Sequence, residues 1–347
     1  MTASPSAGGR LRAYFEFVLA VFYYFLARAL AHHGAQGLLQ DDWNPLIEQA
    51  MLAFLLIVGY ASMGFWLDRE PHPVGAQGFP PRAGLTVEIG MGVATGWALA
   101  VVCVLPMVVF GGISIVLSGD LASWGWLAAD AAFFALAALV EEVAFRGYAF
   151  QRFVRALGPI GASLGFAAYY ALVQSLIPGS GRASFAVSAA LGLVLATAYL
   201  RTRALWLSWG LNFAWKASRA LLFGLAVNGD NTHSHVIQGD PMGPIRLTGG
   251  AFGLDGSWLA FVVMLVAIPV VFRVTRELDF RYNAPVLKPG GIPVDLDAAG
   301  RAQHEAAMGA SEPAAPALVQ IAGAQPSEAA APQDNAKPSP GEPSSSN

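Results

Sequence analysis

Charge is what this chain has least of: Asp, Glu, Lys and Arg make up 12% of its 347 residues, against 55% hydrophobic residues. So few charges exclude an ordinary water-facing globule, and no basic, aromatic-interleaved patch offers a nucleic-acid interface. A single cysteine, Cys103, excludes an intrachain disulfide and a thiolate metal cluster. It lies in an apolar run and reads as a small buried hydrophobe. Lysine is nearly missing: of Lys216, Lys288 and Lys337, only the first falls in an apolar stretch. Histidine is absent from residues 73–232. No long internal repeat is present, which argues against an inverted-repeat transporter. The net charge of −3 says little about partners, because so few of the charges face water.

What is abundant is long apolar sequence. A bilayer-spanning helix needs about 20 such residues. Eight candidates recur, at 13–31, 46–67, 85–117, 124–150, 159–177, 183–200, 204–226 and 256–274. The fold class expected is therefore all-α: a polytopic membrane protein of about eight transmembrane helices. The third candidate is overlong and has to tilt, kink or break, with Gly111 and Gly112 as the weak point. Gly92 with Gly96, and Gly161 with Gly165, are small residues four apart that suit close helix contacts in lipid.

Arginine alternates with the spans. Arg10 and Arg12 precede the first; Arg69 and Arg82 follow the second, Arg152 and Arg155 the fourth, Arg201 and Arg203 the sixth, and Arg273, Arg276 and Arg281 the eighth. The intervening loops carry Asp41, Asp42 and Asp120, with Arg182 and Arg246 as their basic residues. Short cytoplasmic loops are enriched in Lys and Arg, so both termini are expected in the cytoplasm. A cleaved signal peptide is the competing reading of the first span, but Tyr14, Glu16, Tyr23 and Tyr24 do not suit a plain apolar signal core.

Three parts follow: a short cytoplasmic segment 1–12, a membrane domain 13–282, and an Ala/Pro-rich tail 283–347 expected to be disordered. Between the seventh and eighth spans, residues 227–255 form a Gly- and Asp-rich loop containing His233 and His235. A His-x-His pair supplies only two ligands and is a weak metal signal.

Within the fourth span stands E-E-V-A-F-R-G, from Glu141 to Gly147. Ionisable groups at that depth cost about 2.5–3.5 kcal/mol each on insertion scales, so they face a protein interior, a cavity or a reaction centre. Glu142 and Arg146 are four apart and can pair, which leaves Glu141 rotated by about 100° and free for other work. Two adjacent carboxylates do not both ionise without compensating cations, and such a pair makes a base or a metal ligand. A buried ion network that only fixes helix packing is the structural alternative.

This segment resembles the CPBP intramembrane proteases, which include the type 2 CAAX prenyl proteases and bacteriocin-processing or immunity relatives of bacteria. Their first motif, Glu-Glu-x-x-x-Arg, commonly followed by Gly, matches Glu141, Glu142, Arg146 and Gly147. The likeness runs from about 124 to 216 and includes A-Y-L-R-T-R-A-L-W at 198–206. The family's second motif places His four residues after Phe; here Phe166 is followed at that spacing by Tyr170. Its third places His and, four on, Asn; here those positions hold Asn212 and Lys216. In the family, the glutamates and histidines hold a metal or directly activate the water that attacks a peptide carbonyl. The resemblance thus implies an endopeptidase inside the plasma (inner) membrane of a bacterium. Its partners would be the lipid bilayer and a hydrophobic or membrane-embedded peptide.

Counting about 1.5 Å per residue from the expected cytoplasmic loops puts Glu141 ~15 Å deep, Asn212 ~13 Å, and Tyr170 and Lys216 ~20 Å. The candidate site is therefore Glu141, Glu142, Arg146, Tyr170, Asn212 and Lys216, inside the helical bundle. With no imidazole available, zinc or another divalent metal is not expected, and Lys216, with Arg219 near it, is expected to supply the missing positive charge. One reading keeps catalysis: Glu141 takes a proton from water while Asn212 and Lys216 stabilise the oxyanion. The other is a catalytically lapsed member that binds hydrophobic or lipidated peptides, or acts as an immunity or assembly factor. Asp130, Glu16, Arg28 and Glu88 lie nearer helix ends and read as interfacial or packing residues.

Overall fold

In lipid every backbone polar group has to be satisfied within the chain, so apolar segments of this length become helices. The computed structural model describes residues 7–36, 38, 41–117, 121–233, 236–282 and 304–305. Eight principal helices appear in the order expected: α1 (Ala7–Ala35), α2 (Asn44–Asp68), α3 (Leu85–Val109), α4 (Leu121–Arg146), α5 (Tyr148–Gln174), α6 (Arg182–Thr202), α7 (Trp206–Ala217) and α8 (Trp258–Val274). By length and composition alone, α1, α2, α3 and α6 can cross a membrane. The protein is an all-α polytopic membrane protein. Its outer faces carry exposed Phe22, Phe54, Val102, Leu164 and Val262, as a lipid-facing surface does.

The overlong third segment does break. α3 stops at Val109, after Pro106 in its last turn, and Gly111 turns the chain with φ 74°. The residues beyond form β1 (Ile113–Leu117), which pairs antiparallel with β2 (Ile237–Pro241), Ile113 opposite Pro241 and Leu117 opposite Ile237. This small sheet was not expected: ISIVL reads as the end of a span, and its partner lies in the polar loop. At the other end of the chain, α1 begins at Ala7, inside the segment expected to precede the first span, and Arg12 pairs with Glu16 one turn on. The predicted tail lies outside the described residues apart from 304–305.

Glycines position the site helix. A Cβ on Gly92 would lie 2.2 Å from the Leu207 carbonyl oxygen, and one on Gly96 2.3 Å from that of Leu211. From the other side, a Cβ on Gly210 would lie 2.6 Å from the Ile89 oxygen. α7 is thus seated backbone to backbone on α3, the close approach that small residues permit in lipid. Trp209 then donates from Nε1 to the Ala135 carbonyl of α4 at 2.9 Å. Gly161 and Gly165 serve otherwise: they face Leu157 and Phe153 of their own helix, because α5 is kinked at Gly158 (φ 79°) before Pro159.

One end of the bundle is closed by a polar network. Arg152 reaches Asp68 at 2.6 Å and Glu16 at 3.6 Å, Arg12 holds Glu16 at 2.7 Å, and Tyr148 donates to Asp68 at 3.0 Å. The network ties α1, α2 and α5 together. Arg82 likewise pairs with Glu88, which also accepts from Tyr282 at 2.8 Å. Glu16 and Glu88 therefore take the packing roles expected of them.

Candidate functional site

The two carboxylates stand one turn before the C-terminus of α4. The Glu142 side chain is fully buried, and that of Glu141 is 18% exposed. Helical spacing brings Arg146 under Glu142, with Nη1 to Oε1 at 2.9 Å. Asn212 of α7 bridges the pair: its Nδ2 donates to Glu141 Oε2 at 3.0 Å and to Glu142 Oε1 at 3.2 Å. Ser208, one turn earlier on the same face, adjoins Glu142. One turn later Lys216 places its Nζ 2.5 Å from Glu141 Oε1.

Tyr170 of α5 donates to Glu141 Oε2 at 3.1 Å. Its ring is buried, packs edge-on against Phe145 at 5.0 Å, and lies 5.4 Å from the Arg146 guanidinium carbon. Gln174, four residues on, donates to the Tyr170 hydroxyl at 3.2 Å. Three helices thus deliver the six expected side chains to one place, and two carboxylates face two cations. Gln174 was missed, although its i+4 spacing from Tyr170 was available to find it.

Arg219 does not join this cluster. The helix widens into a π-turn over Ser218–Leu222, and the Arg219 guanidinium lies against Asp255 at 2.7 Å and over the Trp215 ring at 4.2 Å. Arg219, expected near Lys216 as a possible addition to its charge, is engaged elsewhere: its charge is met by the loop acid Asp255. Lys216 is left as the α7 cation on the acids.

A cavity of about 370 Å³ adjoins Glu141 and Lys216. It runs along α4 past Phe145, Ala137 and Phe134 to Asp230 and His233 of the loop. His233, from the His-x-His pair, binds Asp130 from Nδ1 at 2.9 Å and Asp230 from Nε2 at 3.4 Å, with its ring stacked on Phe133 at 4.3 Å. Burial opposes charge on this imidazole, but the hydrogen bonds it donates to Asp130 and Asp230 outweigh it and push its pKa up to about 9. The same contact, helped by the Thr232 amide and hydroxyl, holds the Asp230 carboxyl well below the usual range despite burial. His235 lies outside the described residues. Asp130, expected to be a packing residue, is the anchor of this clamp.

The donor set does not fit a divalent metal. Both oxygens of Glu141 and one of Glu142 already accept from N–H and O–H donors, and an ammonium stands directly on Glu141. Among the described residues, no three His, Cys, Asp or Glu side chains gather as a ligand group. Three or four such ligands are what a zinc site normally requires.

Residues 122–218 match the sequence profile of a family described as type II CAAX prenyl endopeptidase Rce1-like. The matched segment runs from α4 through α7 and contains all six site residues. No curated protein and no solved structure matches the chain.

Proposed function

We propose that this chain, a member of the CPBP intramembrane protease family through residues 122–218, hydrolyses peptide bonds within the membrane with a water activated by Glu141. At family level it is a CAAX protease-like intramembrane endopeptidase. The observation that carries the finer reading is the position of Glu141: a carboxylate on a cavity wall, fixed by three donors from two other helices. A base so held loses little freedom when substrate arrives, as preorganised catalysis requires.

The steps balance without a cofactor. Glu141 takes a proton as the water oxygen bonds to the scissile carbonyl carbon, and negative charge moves to the carbonyl oxygen. Lys216, which also lines the cavity, is the cation placed to meet that charge. Collapse of the intermediate breaks the C–N bond, and the amine leaves with the proton from Glu141. Asn212 is a positioning residue in this scheme. It is fully buried and its amide is committed to both carboxylates, so the oxyanion role expected for it passes to Lys216.

The substrate is a hydrophobic or membrane-embedded peptide, and the bilayer is a bacterial plasma membrane with both chain termini in the cytoplasm. The Lys216–Glu141 contact also favours a second reading, because an ion-paired carboxylate is a weaker base. In that reading the protein binds hydrophobic or lipidated peptides without cutting them. Purified protein and Glu141→Gln should be compared on a membrane-embedded peptide, with and without chelator. Cleavage lost in Glu141→Gln and indifferent to chelator is the expected result. Equal turnover in the two proteins would end the proteolytic reading, and chelator sensitivity would end its metal-free form.

A further inference from the structure

The cavity has a direction. Its inner end is the Glu141–Lys216 pair, with Phe145 one turn beneath, and its lining climbs α4 from Glu141 to Phe133, eight residues or about 12 Å at 1.5 Å per residue. At its far end stand Glu48, near the start of α2, and exposed Asp230 in the 227–255 loop. On the opposite side of the glutamates, toward the α4–α5 junction, the described residues pack closely. Val143, Tyr148, Ala149 and Phe150 are buried there. Beyond them, Arg152 is locked between Asp68 and Glu16. Gln151 closes a further seam by donating to Tyr199 and to the Ala76 carbonyl.

We infer that the glutamate pair is reached by an extended polypeptide segment that enters from the 227–255 loop end of the bundle, opposite the arginine-rich loops. An extended chain of about four residues spans that distance. The walls suit one: Phe133, Phe134 and Phe145 offer apolar faces, while Gln174, Asn228 and Arg28 offer polar groups. With the orientation that the arginine distribution implies, this end faces the translocated side. The favoured substrate class is then a juxtamembrane segment displayed outside the cell, rather than a chain terminus in the cytoplasm. The identity of the occupant rests on the peptidase reading; the direction of access does not.

Thiol labelling of proteoliposomes tests this without any cleavage. In a Cys103→Ala background, which removes the lone buried native thiol, three single-cysteine proteins are made: Ala137→Cys on the cavity wall, Asn231→Cys at the loop end and Ala76→Cys at the arginine-rich end. A membrane-impermeant maleimide should label Ala137→Cys from the same side as Asn231→Cys. The probe for occupancy is a leucine-rich transmembrane peptide with an extended polar segment, reconstituted in either orientation. Several-fold slower labelling of Ala137→Cys is expected when that segment is on the Asn231 side. Labelling from the Ala76 side or from neither side, or protection by the opposite orientation or by neither peptide, would overturn the inference. If Glu141→Gln cleaves as well as the native protein while this protection persists, the proteolytic reading fails and the access route stands.

Discussion

At the scale of residues, the candidate site is defined by Tyr170 and Asn212, which stand where the family it resembles carries imidazole, and by Lys216, which stands where that family carries Asn. Tyr170 and Asn212 are neutral donors, and Lys216 is a fixed charge that needs no exogenous ligand. Reversing the three substitutions tests this. Tyr170→His combined with Asn212→His and Lys216→Asn removes the ammonium and gives the two glutamates a pair of imidazoles, a donor set that zinc accepts. The triple variant should retain zinc through dialysis, measured by elemental analysis, while the native protein retains none. Zinc held equally by both would mean that Lys216 excludes nothing. The cluster is legible in the sequence because Lys216 and the glutamates are costly in hydrocarbon and need one another. Arg219 is not legible in the same way, because helical spacing assumes 3.6 residues per turn and the π-turn at Ser218–Leu222 breaks that spacing.

Among the elements, the α3–α7 contact governs where Asn212 and Lys216 stand. Gly96→Val would drive side-chain atoms into the Leu211 backbone, which has no flexible end to yield. Overpacking of this kind costs about 1–3 kcal/mol, and the unfolding free energy in detergent micelles should fall by that amount. The same change at Gly161, which meets only the Leu157 side chain at 3.2 Å, should cost less than half as much. Both glycine pairs look alike in sequence. Only the kink at Gly158, set by a positive φ before Pro159, turns the second pair inward on its own helix. The helix order was readable because length and hydropathy fix it, whereas the β1–β2 pairing joins segments 120 residues apart that share no local signal.

For the whole molecule, the loop end is held by the His233 clamp and the arginine-rich end by the Arg152 network. His233 has its folded-state pKa raised from 6.5 to about 9, so protonation favours the folded state. The stabilisation is fully present below about pH 6.5 and is lost as pH rises through about 9. Thermal unfolding in micelles should show this decline in the native protein and not in His233→Phe, which keeps the stacking on Phe133 but not the charge. A decline of equal size in both would place the titrating group elsewhere. The exposed apolar flanks and the alternation of arginines between loops, by contrast, follow directly from composition and were apparent from the sequence.

The central claim is that Lys216 compensates the carboxylates as a built-in cation. A double-mutant cycle in unfolding free energy, using Glu141→Gln, Lys216→Met and both together, measures that compensation most directly. Lys216→Met alone should destabilise by about 3–5 kcal/mol, because it strands a buried charge, and adding Glu141→Gln should recover much of the loss. Simple additivity of the two substitutions would contradict the account.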